Sequence, residues 1–159
     1  MRVAVAGAGP TGLFLAMTLA RRGHRVTVVD RDPGPAPDGS WERRGVMQFH
    51  HPHGVRQQVS DALDAELPDV ATALLAAGAE RTMRGTLPVG LSTRRITFER
   101  VLRAAAATEP GVTLLTAHAD GVLAERGHAA GLRAAGADVR ADLVINASGR
   151  AGRLADEVA

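Results

Sequence analysis

Six residues near the start of the chain, Gly7-Ala-Gly9-Pro-Thr-Gly12, restrict its fold more than any other feature. They follow the apolar run Val3-Ala-Val-Ala6, which suits a parallel strand buried on both faces. They also open a segment in which Leu13, Ala16, Met17, Leu19 and Ala20 recur at helical spacing, with Pro10 where a first-turn proline is tolerated and Gly23 as a stop. Arg25-Val-Thr-Val-Val-Asp30 then predicts a second strand. Strand, helix and strand within 30 residues make a right-handed βαβ unit, because parallel strands need a crossover of that size.

The glycines have separate tasks in such a unit. Gly7 permits the tight turn, Gly9 lets the backbone approach a pyrophosphate, and Gly12 allows close helix–strand packing. Phosphate then meets the free N–H groups at the helix N-terminus, with Pro10 and Thr11 beside it. Asp30, at the tip of the second strand, is placed to accept hydrogen bonds from a ribose. Both FAD and NAD satisfy this pattern, and a Gly-rich turn without a ligand is the bland alternative.

Downstream, residues 31–39 are rich in Asp, Pro and Gly and read as loop. A helix is expected over His53–Glu66 and another from Pro68 to Gly78; residues 82–92 fit no single pattern. Thr97 reads as the N-cap of a helix carrying Phe98, Val101, Leu102 and Ala105, and Glu109-Pro-Gly111 turns into a third parallel strand over Val112–Leu115. Residues 119–139 alternate around Gly127 and Gly136, as two or three short antiparallel strands would. Leu143–Ile145 is expected as a last buried strand, running into Asn146-Ala-Ser-Gly149. The fold class that results is α/β: a Rossmann-like parallel sheet with a small antiparallel meander, forming one domain over residues 1–159.

Composition removes whole reaction classes. The chain has no Cys, hence no disulfide, thiolate nucleophile or iron–sulfur cluster. It has no Lys, hence no Schiff base and no Walker-type phosphate loop. The pI of about 10.7 suggests nucleic acid, but the net charge is only +2 and every basic residue is Arg. With nothing titrating between His and Arg, a small excess of Arg carries the pI upward, and the arginines are scattered rather than gathered. No nucleic-acid partner is therefore expected. No apolar run reaches 18 residues, so no membrane span is read, and with no secretory pattern at the N-terminus the cytoplasm is the default. His50, His51 and His53 lie close together, yet consecutive positions point different ways and no acidic or thiol ligand is near in sequence, so no metal site is assigned.

The stretches VAVAGAGPTGL at 3–13, VVDR at 28–31, RRGVMQ at 43–48, RRITFERVLR at 94–103 and DLVINASGR at 142–150 extend the pattern over nearly the whole chain. Together they resemble the FAD-dependent monooxygenases and reductases of the p-hydroxybenzoate hydroxylase type. The resemblance implies that Asp30 binds the adenosine ribose and that Arg31 lies against the adenine end. It further implies that Arg43 or Arg44, and Arg95, reach the pyrophosphate or ribityl region, where planar donors suit phosphate oxygens. Gln48, Asp120, Ala147 and Gly149 complete the implied cofactor contacts. Asn146 departs from the family, which usually carries Asp there. NAD(P)H is the implied electron donor and a small organic molecule the implied substrate. Family members are more than twice this length, so the chain is expected to be the N-terminal FAD-binding portion of a longer flavoprotein, completed by a C-terminal half or a partner chain, and no catalytic acid or base is assigned. Flavin halogenases are disfavoured because they depend on a lysine.

Overall fold

A computed structural model describes residues 1–43, 45–134, 137–149 and Leu154. In chain order its elements are β1 (Arg2–Ala6), α1 (Pro10–Arg21), β2 (Arg25–Asp30), β3 (Pro52–Arg56), α2 (Gln57–Glu66), α3 (Pro68–Ala76), β4 (Glu80–Arg84), β5 (Leu87–Arg94), α4 (Arg95–Thr108), β6 (Val112–Thr116), β7 (Ala119–Glu125), β8 (His128–Ala134), β9 (Ala137–Arg140) and β10 (Leu143–Asn146). They fall into two compact units, one of residues 1–34 with 106–159 and the other of residues 35–105.

In the first unit a parallel sheet of order β10-β1-β2-β6 places β1 and β2 in the middle. Both central strands are apolar runs because each of their faces is covered. Ala4, Ala6 and Val29 pack on one face against Leu132 and Ala134 of the antiparallel meander β7-β8-β9. Val3, Val5, Val26 and Val28 alternate to the other face, where Leu13 and Met17 of α1 are buried. Gly23 ends α1 in the left-handed conformation, φ +83°, just beyond the C-cap Arg22.

The expected last strand forms as β10 and pairs in parallel with β1, but it is an edge strand and not fully buried. Leu143 is 40% exposed, because β10 has a neighbour on one side alone among the described residues.

The second unit is an antiparallel sheet of order β3-β5-β4 with α2, α3 and α4. Val55, Leu63, Leu67, Val70, Leu74, Leu91, Phe98 and Leu102 are buried in it. The stretch 82–92 resolves into the β4–β5 hairpin. Two helix expectations shift here. Residues 53–56 belong to β3 and pair with β5, so α2 starts at Gln57; Gly90, at φ +146°, lets the strands meet, since a side chain there would overlap the Val55 carbonyl. Thr97 is not an N-cap either. The helix α4 begins two residues earlier, where the Arg95 and Ile96 amides donate to the carbonyls of His51 and Phe49 at 3.1 and 2.9 Å. Backbone oxygens of a preceding turn do what a capping side chain does elsewhere.

Candidate nucleotide site

The turn from β1 into α1 separates its three glycines by what surrounds them. Gly7 sits at φ +106°, and a Cβ on it would come 2.5 Å from the Ala147 carbonyl oxygen. A Cβ on Gly12 would overlap the Gly7 carbonyl. Those two glycines are required by the fold itself. Gly9 is different: its φ and ψ, −76° and 176°, are open to any residue, and nothing lies within 4 Å of where its Cβ would be. The chain keeps glycine at a place where its own packing does not ask for one. Gly9 is also the N-cap of α1, with no side-chain cap bond and no acidic residue in the first turn. Pro10 occupies the first helical position and Thr11 is exposed beside it. The arrangement leaves a positive helix end facing open space.

Asp30 lies at the end of β2 and is half-buried. Its Oδ2 accepts from the Ala8 amide at 2.6 Å and its Oδ1 from the Asp32 amide at 2.9 Å. The carboxylate therefore ties β2 to the glycine turn, a role that spacing alone did not indicate. Arg31, next in sequence, is exposed. Ala147 donates its amide to the Ala6 carbonyl at 2.8 Å, which sets the 146–149 segment against the turn. Asn146 accepts from the Ser148 amide and hydroxyl at 3.2 and 2.5 Å, so its carbonyl oxygen closes a local turn that an Asp would close equally well. Gly149, φ +79°, is exposed with open space around it. Asp120 is exposed on β7 and is bonded to His118 at 2.9 Å.

The remaining candidates belong to the second unit. Arg44 lies outside the described residues. Arg43 and Arg95 converge on one acid, Glu99, at 2.5 and 2.8 Å. Arg43 also stands over the Trp41 ring, 5.8 Å from its centroid. Sequence reasoning missed Glu99; the signal was an Arg four residues earlier on the same helix, a spacing that puts opposite charges side by side. Gln48 is exposed in a left-handed conformation, φ +58°. Next to it Phe49 is buried edge-to-face on Trp41, with ring centroids 5.1 Å apart. The histidines diverge, His50 bonding Glu42 at 2.7 Å and His53 lying on β3, and no group of metal-ligating side chains gathers among the described residues.

An uncapped helix end, an open volume above Gly9 and a carboxylate at the tip of β2 fit the adenosine diphosphate half of a dinucleotide. The sequence profile of the FAD dependent oxidoreductase family matches residues 2–105. The chain belongs to that family.

The relatives of this FAD dependent oxidoreductase chain are longer proteins. A D-amino acid dehydrogenase of Sinorhizobium medicae is 49% identical over 49 residues, 31% of this chain and 12% of the relative. The dihydropyrimidine dehydrogenase subunit PreT of Escherichia coli, NAD-dependent by name, is 39% identical over 66 residues, 42% of this chain and 14% of the relative. Among solved structures, CtdE in complex with FAD superposes with a TM-score of 0.68 at 18% identity, covering 94% of this chain and 38% of CtdE. The myxobacterial chondrochloren halogenase CndH gives 0.69 at 21%, covering 98% and 39%. A mutant of 2-methyl-3-hydroxypyridine-5-carboxylic acid oxygenase gives 0.66 at 18%, covering 99% and 42%. At these identities the likeness establishes the α/β fold expected from the sequence, a four-stranded parallel sheet with small antiparallel sheets. Among the described residues no helix is long and apolar enough to cross a membrane.

Proposed function

We propose that this chain is the FAD-binding portion of an NAD(P)H-dependent monooxygenase of the p-hydroxybenzoate hydroxylase type, acting on a small organic substrate by hydroxylation or epoxidation. The observation that carries FAD binding is the open space at Gly9 before the uncapped helix end, where glycine is kept without a structural need for it. Asp30 would take the adenosine ribose, Arg31 the adenine end, and the amides of Gly9, Thr11 and Gly12 would frame the pyrophosphate with the Pro10 ring beside them; Arg43, Arg44, Gln48, Arg95, Asp120, Ala147 and Gly149 are the further proposed contacts. When bound, the flavin supplies hydride acceptance from the nicotinamide and oxygen activation. The protein's own groups bind, orient and shield it. Support for oxygen chemistry comes from the sequence resemblance and from an oxygenase among the structural neighbours.

The whole protein tests this directly. A flavin absorption spectrum, NADPH oxidation and stoichiometric oxygen uptake with a hydroxylated or epoxidised product are expected. The D-amino acid dehydrogenase relative supports a second reading, a flavin dehydrogenase. A double-bond reductase and a nucleotide-binding module without activity of its own also fit a FAD-binding portion. Substrate oxidation or reduction without oxygen uptake, or nucleotide binding without turnover, would replace the monooxygenase reading.

A further inference from the structure

The parallel sheet has a second end. At the N-terminal ends of β1, β2 and β6 an open cleft of about 370 Å³ lies wholly within the first unit, lined by Arg2, Arg25, Arg140, Thr27 and Thr113 among others. Because β1 is five residues long, this end stands roughly 15 Å from the nucleotide turn. Strand register brings the side chains together. Arg2 is paired with Arg25 and Thr27 with Thr113, and residues 25 and 27 are two apart on β2, so all four share one face of the sheet. It is the face that Ala4, Ala6 and Val29 turn to the meander, and Arg140 comes from the meander at the end of β9. Arginines scattered along the sequence are thus gathered by the fold. Two of them have acids: Arg2 bonds Asp142 at 2.9 Å and Arg140 bonds Glu125 at 2.5 Å. The side chains of Arg25, Thr27 and Thr113 bond nothing among the described residues. Guanidiniums at directly opposed positions of neighbouring strands repel, so the Arg2–Arg25 pair gains nothing for folding.

We propose that this cleft binds the phosphate group of a small phosphorylated molecule, at the end of the sheet away from the nucleotide turn. Guanidinium forks pair with phosphate oxygens two at a time, and a tetrahedral phosphate offers oxygens in several directions, which suits donors on the sheet and on the meander at once. A carboxylate presents its two oxygens in one plane. The hydroxyls of Thr27 and Thr113 add two neutral donors beside Arg25. The cleft holds far more than a bare ion, since one water takes roughly 30 Å³ of liquid volume, so there is room for the organic part of an ester. Such an anion offsets the repulsion between Arg2 and Arg25.

The test is calorimetry at low salt on the whole protein, titrated separately with inorganic phosphate, glycerol 3-phosphate and citrate, for the parent, Arg25→Gln, Thr27→Val and Gly9→Val, each first checked for an unchanged circular dichroism spectrum. Both phosphates should bind the parent, the ester at least as tightly as the ion. Arg25→Gln should weaken them roughly 10-fold or more, as loss of a charge-assisted hydrogen bond does, and Thr27→Val by a few-fold. Gly9→Val, at the other end of the strands, should leave them unchanged. Without ligand, Arg25→Gln should melt no lower than the parent; with phosphate, the parent should gain heat resistance that this variant does not. Phosphate affinity lost in Gly9→Val and kept in Arg25→Gln would place the anion in the nucleotide turn and overturn the proposal. Binding of citrate in place of both phosphates would assign the cleft to carboxylates, and binding of inorganic phosphate with the ester excluded would leave no phosphorylated molecule to propose. No binding of either phosphate up to about 10 mM overturns it outright.

Discussion

Two residues test the proposal that the β1–α1 turn holds a nucleotide, and they act differently. Asp30 is both an internal tie, through Ala8 and Asp32, and the proposed ribose acceptor. Asp30→Ala is therefore expected to weaken ADP and FAD by about 1.5–3 kcal/mol and to lower the melting temperature as well, since two backbone donors lose their acceptor. Asp30→Asn, which retains an acceptor oxygen, should recover stability more than affinity. Calorimetry with ADP beside a melting curve separates the two effects, and unchanged affinity would take Asp30 out of the site. At Gly9 a bulky side chain enters empty space, so Gly9→Val should leave the circular dichroism spectrum intact and abolish ADP binding. Gly12→Val meets backbone and should not fold. A folded Gly9→Val protein that still binds ADP would mean that the turn faces something other than phosphate.

The βαβ unit was legible element by element because its signals are local: an apolar run, a glycine turn, a helical period, a second run. The last strand and the meander were legible for the same reason. The start of α2 and the start of α4 were not. Both depend on pairing between segments far apart, β3 with β5 in one case and the carbonyls of Phe49 and His51 with the Arg95–Ile96 amides in the other. Periodicity in a short window does not contain that information. The candidate site divides along the same line. The glycines and Asp30 stand out from spacing, whereas the shared use of Glu99 by Arg43 and Arg95 is a tertiary fact. Gly90 is the element-scale test of the β3–β5 pairing. Its φ of +146° and the Val55 carbonyl beside it leave no room for a side chain, so Gly90→Ala should cost about 1–3 kcal/mol in denaturant unfolding. A loss below half a kcal/mol would argue that the pairing is looser than described.

Among the described residues, four acid-sensitive groups push the same way. His53 has its pKa held below the usual 6.5, chiefly by burial and then by the charge of Arg95, with Glu99 opposing. Between that lowered value and 6.5 the unfolded chain binds a proton that the folded chain does not. The contribution of neutral His53 is thus complete above pH 6.5 and declines as the pH falls through its folded value. Asp38, Asp64 and Asp142 lie below the usual 3.8, held there first by hydrogen bonds from the Ser40 hydroxyl, the Arg81 side chain and the Arg2 amide respectively. Their contributions are present above pH 3.8 and lost below it. The melting temperature is expected to fall in two stages on acidification, first below pH 6.5 and again below pH 3.8, and His53→Gln should flatten the first stage. A first stage that persists in that variant would assign it to another group.

The empty volume at Gly9 also sets folding and binding against each other at one atom. A serine there has an accessible backbone conformation, would supply the side-chain cap that α1 lacks, and would reduce the freedom of the unfolded chain. Gly9→Ser should therefore raise the heat resistance of the ligand-free chain by a few tenths of a kcal/mol while filling the space proposed for the pyrophosphate. Laboratory selection for heat resistance alone would drift away from glycine at this position, and alternating it with selection for nucleotide retention would restore it, which makes residue 9 a reporter of which pressure a population has experienced.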